Sequence, residues 1–297
     1  MPQTTQIEPQ NHISGLNISY PDAVIGAEIS GVDLSQPLDD ETFAKIEEIF
    51  NERSVLCIRG QEITAEQYIA FAKRFGNVEK NFLDHYHHPD HDEVLLVSNI
   101  KENGEDIGHA DAGRVWHTDM SFMDCPPRAT VLYALEVPVR DGVVRGDTNF
   151  ASAAAAYDSL PHKTKEQLED LIVVHDVFGR RAKTGTGTQD NDKRKKMPNV
   201  RHPFVRVHPL TGRKCLYVST GECIGVEGMD AAEGVSLINE HAKLITQEPF
   251  RYRHHWQVGD ILMWDNCAVQ HLATFDYKWP DERRLIWRIT VGATKTM

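Results

Sequence analysis

The amino-acid sequence predicts a mainly β chain with flanking helices (α+β), built round a double-stranded β-helix, that is, a jelly-roll or cupin-like core. Three observations carry this reading. Helical periodicity falls mostly early in the chain, short strand-like runs at irregular spacing dominate the rest, and no internal repeat is present. The chain has 297 residues, a length that favours a second domain only weakly. A chain of this size buries about three quarters of its unfolded surface and needs no disulfide or structural metal to fold.

In chain order, residues 1–12 are rich in Gln, Thr and Pro and read as a disordered tail, with residues 13–297 as one domain. Phe43, Ile46 and Ile49 stand at helical spacing and predict a helix over about Asp40–Phe50. Ser54 to Ile58 then reads as a short buried strand. Thr64 and Gln67 have capping-box spacing, Ile69, Ala72 and Phe75 continue an apolar stripe, and Gly76 closes that helix. Strands follow at Val94–Ser98, Ala129–Val137, Val205–His208, Lys214–Val218, Phe250–His255, Asp260–Trp264 and Leu285–Val291, with a hairpin turn at Thr211-Gly212. Helices interrupt them at Lys165–Ile172 and Ala231–Ile245. The stretch Lys183–Asn199 has almost no apolar residue. It reads either as a solvated surface loop or as a lid over an active site, a role long loops in enzymes often take.

Composition narrows the function. The formal net charge is −12, from 32 basic and 44 acidic residues, which argues against nucleic-acid binding, since that rests on Lys and Arg neutralising phosphates. A small anionic partner stays open, because a buried arginine acts locally. Five widely spaced cysteines with no CxxC exclude zinc-ribbon and redox motifs and read as free thiols of a reducing compartment. Met1 to His12 is polar without an apolar stretch, and no apolar run approaches the length of a membrane span. The expected location is cytoplasmic. Nothing in the sequence marks an oligomer interface, and a homo-oligomer stays open.

The chemistry concentrates in Trp116-His117-Thr118-Asp119. In an extended segment residues i and i+2 share a face, so His117 and Asp119 can ligate one metal. His271, in the run from Trp264 through Asp265 and Asn266, is the candidate third ligand. Two histidines and one carboxylate on one face leave coordination positions open, the facial triad of Fe(II) oxygenases. An arginine cluster follows: Arg283, Arg284 and Arg288. If Leu285–Val291 is a strand, Arg284 and Arg288 point the same way, and each can form bidentate, charge-assisted bonds to a carboxylate. A salt-bridged, solvated strand face is the plainer reading of such a cluster on its own.

In these motifs the chain resembles the taurine dioxygenase and phenoxyacetate-herbicide dioxygenase (TauD/TfdA) family of Fe(II)- and 2-oxoglutarate-dependent oxygenases. The resemblance runs from Ile25-Gly-Ala-Glu-Ile-Ser-Gly-Val-Asp33 through Phe75-Gly76, Trp116–Asp119, Gly146-Asp147-Thr148, Ala155–Pro161, His208–Arg213 and Trp264-Asp265-Asn266 to the final arginines. It implies that His117, Asp119 and His271 hold Fe(II), that Thr148 and Arg284 bind the cosubstrate 2-oxoglutarate, and that Arg288 binds a small anionic organic substrate. It implies O₂-dependent hydroxylation with release of succinate and CO₂, and the carboxylate at 119 favours hydroxylation over halogenation. Two departures stand out. Arg145 occupies the place of the first glycine of a Gly-Gly-Asp-Thr motif, and Gly113 that of an asparagine four residues before the first iron histidine in the taurine enzyme. Taurine itself is therefore not the expected substrate. Asn81, His85 and Tyr86, in the His-rich strip after Phe75-Gly76, are candidate substrate contacts; the plain reading of that strip is a solvated loop. The competing readings are a zinc hydrolase on the same ligands, separated by 2-oxoglutarate-dependent oxygen uptake, and a binding or sensor protein on the same barrel, separated by turnover.

Overall fold

The computed structural model describes residues 15–80, 86–111, 113–179 and 197–293. The tail at 1–12, the loop at 183–196, Asn81 and His85 lie outside the described residues. The architecture is mixed, mostly sheet with few helices, and among the described residues no helix is long and apolar enough to cross a membrane.

Two helices pack early, as their caps and stripes dictate. Helix Asp40–Arg53 starts at Asp39, whose carboxylate accepts from the Thr42 N–H at 2.8 Å, and it buries Phe43, Ile46, Ile49 and Phe50. Helix Ala65–Lys73 starts with the reciprocal capping box of Thr64 and Gln67. Both lie on one face of a nine-stranded sheet. Its order is Asn17–Ser19, Ala27–Ser30, Val55–Ile58, Ile261–Asp265, Pro127–Glu136, Leu285–Ala293, His91–Ser98 and His87–His88, with Val78–Glu79 against the end of Leu285–Ala293. Period-two alternation divides its side chains. Val131, Tyr133, Met263, Ile289 and Val291 meet the helices, whereas Leu132, Ala134, Leu262, Trp264 and Ile286 face the other way.

That second face looks onto a three-stranded sheet of Arg251–His254, Thr148–Ser152 and Val269–Ala273. Phe150, at its centre, packs its ring 5.5 Å from Trp264. The two sheets enclose the apolar core, and the chemical residues lie between them. A further three-stranded sheet, Val200–Pro203, Ile172–His175 and Cys223–Val226, is backed by helix Ala231–Ile245.

The expected strands are present with shifted ends: His91–Ser98, Pro127–Glu136, Val205–Val207, Lys214–Leu216, Arg251–His254, Ile261–Asp265 and Leu285–Ala293. One helix is corrected. The expected Lys165–Ile172 is His162–Glu169, and Ile172 opens a strand. Leu168 is its only buried side chain, too thin a stripe to mark its limits. Thr148–Ser152 and Val269–Ala273, which carry two site residues, are strands that the sequence pattern did not expose.

Candidate active site

His117 and His271 are joined through their backbones. The His117 N–H donates to the His271 carbonyl at 3.2 Å, and the His271 N–H returns to the His117 carbonyl at 2.8 Å. The two rings are thereby brought to 4.1 Å. The extended geometry expected of His117 to Asp119 holds only at His117; a turn follows at once, with Met120 at φ 52°.

His117 Nδ1 lies 2.8 Å from the Val115 carbonyl, which can only accept. That nitrogen therefore carries the proton, and Nε2 keeps its lone pair, 3.6 Å from Asp119 Oδ1. His271 Nε2 is 3.8 Å from Asp119 Oδ2. All three residues are buried, and their donor atoms fall within 4.8 Å of one another. Neutral imidazole and carboxylate suit a ferrous ion better than soft thiolates would, so the donor set fits the metal that the sequence implies. Burial opposes ionisation of Asp119. Arg288, at 3.0 Å, together with His271 and His117, outweighs it and holds the carboxyl well below the usual range. The Thr130 hydroxyl donates to Asp119 Oδ2 at 2.7 Å.

Both expected arginines enter one cavity. Its wall includes Val97, Leu132, Phe275 and Tyr277, and His117, His271 and Thr148 also open onto it. Arg284 is 5% exposed, and no carboxylate of the described residues pairs with it. Its guanidinium donates to the Gly146 carbonyl at 2.7 Å and sits 5.5 Å and 5.6 Å from the Trp256 and Tyr277 rings. Burial lowers its pKa. A buried cation lacking a counter-ion beside a cavity asks for an anion. Gly146 makes the approach possible: at φ +77°, an added Cβ would lie 2.5 Å from the Arg284 guanidinium. Arg283, by contrast, points outward and pairs with Glu136 at 2.7 Å.

Thr148 is oriented by Trp256. The indole N–H, a donor only, gives its proton to Thr148 Oγ1 at 3.1 Å. The Thr148 hydroxyl must then donate its own proton elsewhere, and the cavity is where it faces. Trp256 and Thr130 were not singled out in the sequence; Trp256 meets Thr148 and Thr130 meets Asn266 from far away along the chain. Tyr86 packs edge-on to His109 at 6.0 Å and is not among the cavity-lining residues. Its neighbour His87 lies in register with Leu95, which pairs with Arg288. Both His87 ring nitrogens are buried without a hydrogen-bond partner. Arg145, at the departure from the double glycine, reaches Asp276 at 3.8 Å, away from the metal ligands.

Known proteins resemble this chain over most of its length. The family described as "Taurine catabolism dioxygenase TauD, TfdA family" matches residues 16–290. The alpha-ketoglutarate-dependent 2,4-dichlorophenoxyacetate dioxygenase of Cupriavidus pinatubonensis is 36% identical over 259 residues, covering 84% of this chain and 88% of that protein. Pentalenolactone F synthase of Streptomyces arenae is 30% identical over 283 residues, covering 91% and 92%. Among solved structures, AAD-2 in complex with Mn(II) and N-oxalylglycine superposes with a TM-score of 0.80 at 29% identity, covering 95% of this chain and 98% of that one.

Proposed function

This chain belongs to the TauD/TfdA family of Fe(II)- and 2-oxoglutarate-dependent dioxygenases, and from that premise we propose that His117, Asp119 and His271 are its metal ligands, Arg284 and Thr148 its 2-oxoglutarate contacts, and Arg288 the anchor of its substrate. The single observation that carries this reading is Arg284: a buried guanidinium with no carboxylate partner, in the same cavity as the two histidines. Fe(II), 2-oxoglutarate and O₂ supply the hydroxylating chemistry, with release of succinate and CO₂.

The chain's own residues do the rest. His117, with its Nδ1 proton held by Val115, presents a fixed lone pair. Arg284 forms a charge-assisted fork with the distal carboxylate of 2-oxoglutarate, and Thr148 adds its hydroxyl proton. Arg288, at the other side of Asp119, takes the anionic end of the substrate. Val97, Leu132 and Phe275 offer an apolar wall for its body and keep water from the reacting centre. Gly113, at φ +85° with room for no more than a tight Cβ against Ala273 at 3.2 Å, gives no polar side chain to an amine. The substrate class this favours is an aryloxyalkanoate, or another small carboxylate or sulfonate with an apolar body, and the 36% identical relative is named for 2,4-dichlorophenoxyacetate.

The finer fold reading is a double-stranded β-helix within a single domain over 13–297, supported by the way the nine-stranded and three-stranded sheets enclose the site. Five free thiols, four of them buried, support a reducing, cytoplasmic setting. The test is succinate formation and O₂ uptake by anaerobically Fe(II)-loaded protein with 2-oxoglutarate and a panel of aryloxyalkanoates, sulfonates, alkyl sulfates and carboxylates. Substrate-stimulated succinate is expected, strongest with aryloxyalkanoates. Failure of 2-oxoglutarate to bind would overturn the roles given to Arg284 and Thr148.

A further inference from the structure

Thr130 sits where strand patterning calls for an apolar residue. It lies on the inward face of Pro127–Glu136, in alternation with Leu132 and Ala134, and is 0% exposed. Its hydroxyl meets two partners: Asp119 Oδ2 at 2.7 Å and the Asn266 amide nitrogen at 3.1 Å. An ionised carboxylate can only accept, so Thr130 must donate to Asp119 and must receive from Asn266. The direction of the relay is therefore dictated by the carboxylate at its end. Asn266 is pinned in turn. Its N–H donates to the Arg128 carbonyl at 2.9 Å, and its carbonyl accepts from the hydroxyl of Thr118, which stands between two of the metal ligands, at 2.6 Å. The Asn266 side-chain oxygen is buried and has no partner. A buried amide held with half its capacity unmet lowers stability, and such a residue is kept for something other than packing.

Resting on the metal reading above, we infer that Thr130, oriented by Asn266, is a positioning residue that holds Asp119 Oδ2 while the Arg288 guanidinium, 3.0 Å from Oδ1, holds the other oxygen, so that the carboxylate plane is fixed beside the two histidines. Without the hydroxyl, the Arg288 contact alone orients the carboxylate. Partners of this kind behind a metal ligand typically account for about 10- to 100-fold in metal affinity.

The experiment is an anaerobic titration of metal-free protein with Mn(II), following free Mn(II) by electron paramagnetic resonance, and with Co(II), following its visible absorption. Wild type, Thr130→Val, Thr130→Ser and Asn266→Ala are compared, with circular dichroism melts on each. Thr130→Val, which keeps shape and loses the hydroxyl, is expected to weaken Mn(II) binding by about 10- to 100-fold and to alter the Co(II) spectrum. Thr130→Ser should restore both, and Asn266→Ala should weaken binding in the same direction by less. If wild type binds neither metal, the ligand assignment falls. If wild type binds and Thr130→Val matches it in affinity and spectrum, the positioning role alone falls. Should Thr130→Val not fold, an Asn266→Ala affinity equal to wild type would overturn the relay, and a weakened one would support it.

Discussion

Two clusters in this protein offer the same kind of ligand set, and only one is suited to a metal. His117, Asp119 and His271 form the first; Cys57, His254 and Asp260 form the second. Each brings three donor atoms within 4.8 Å of one another, on buried residues. In the second cluster one carboxylate oxygen already carries three partners. Asp260 Oδ2 receives the Arg59 guanidinium at 2.6 Å, the Gln257 N–H at 2.8 Å and His254 Nε2 at 3.1 Å. Burial pushes the Cys57 thiol up, so it stays a poor ligand. None of the three lines the cavity. In the first cluster, His117 uses one ring nitrogen on the backbone and keeps the other for the centre, and the arginine nearby reaches in from the cavity wall. Residue type and distance do not separate a metal site from a structural brace. What separates them is which donors keep a lone pair toward the centre and whether they open onto the cavity.

The comparison breaks most sharply at the ligands. His117→Ala should lower turnover to background and abolish stoichiometric Mn(II) binding while the far-ultraviolet spectrum stays unchanged. A variant that keeps near wild-type rate would remove His117 from the site. The mirror experiment is Asp260→Asn, which leaves Arg59 with Glu28 as its carboxylate partner. Losing one partner of a buried pair costs up to about 3–5 kcal/mol, so with Glu28 still in place urea unfolding should shift by less than that, with Mn(II) stoichiometry unchanged. A loss of bound metal there would make the second cluster a metal site after all.

A smaller effect distinguishes the two cavity arginines. Arg288→Ala should raise the KM of the primary substrate on the order of 30-fold or more, the equivalent of about 2 kcal/mol at the low end for a truncated buried charge pair, with little change in the 2-oxoglutarate KM. The reverse pattern would exchange the roles of Arg284 and Arg288. The smallest effect is in pH. Burial lowers the pKa of His254 in the second cluster, and of His175, to about 3 in the latter. The folded state keeps these rings neutral while the unfolded chain protonates them near 6.5. Their contribution to stability is therefore full above about pH 6.5 and declines as pH falls toward the depressed folded values, by at most about 1.4 kcal/mol per pH unit for each group. Urea titrations at pH 7 and 5.5 should show this decline. His175→Gln should make it shallower, and an unchanged slope would mean that the ring is already charged when folded.

The legible parts of the site were those whose side chains declare their chemistry. A histidine two residues from an aspartate, a distant histidine and paired arginines have few uses in common; His117, His271, Arg284 and Arg288 line one cavity, and Asp119 lies beside the two histidines. The helix before Gly76 was legible for a similar reason, since a capping box is a local device. What stayed hidden depends on pairing across the chain. Thr130 meets Asn266 from 136 positions away and Trp256 meets Thr148 from 108; neither threonine differs locally from any buried hydroxyl. The strands Thr148–Ser152 and Val269–Ala273 interleave polar residues and alanine with single apolar ones, so neither carries the β-branched or aromatic run that marks a strand. The helix placed at Lys165–Ile172 was displaced because one apolar residue cannot fix its phase.

The contact between Gly146 and Arg284 sets the mutational landscape of this region. Position 146 combines a left-handed backbone with a neighbour that leaves no room for even a methyl group, so a saturation library selected for turnover should return glycine there almost without exception. Position 145, one residue away, carries a half-buried arginine facing Asp276, and its tolerance should be broad. The adjoining pair thus marks an abrupt boundary between a codon frozen by the buried Arg284 and one open to drift.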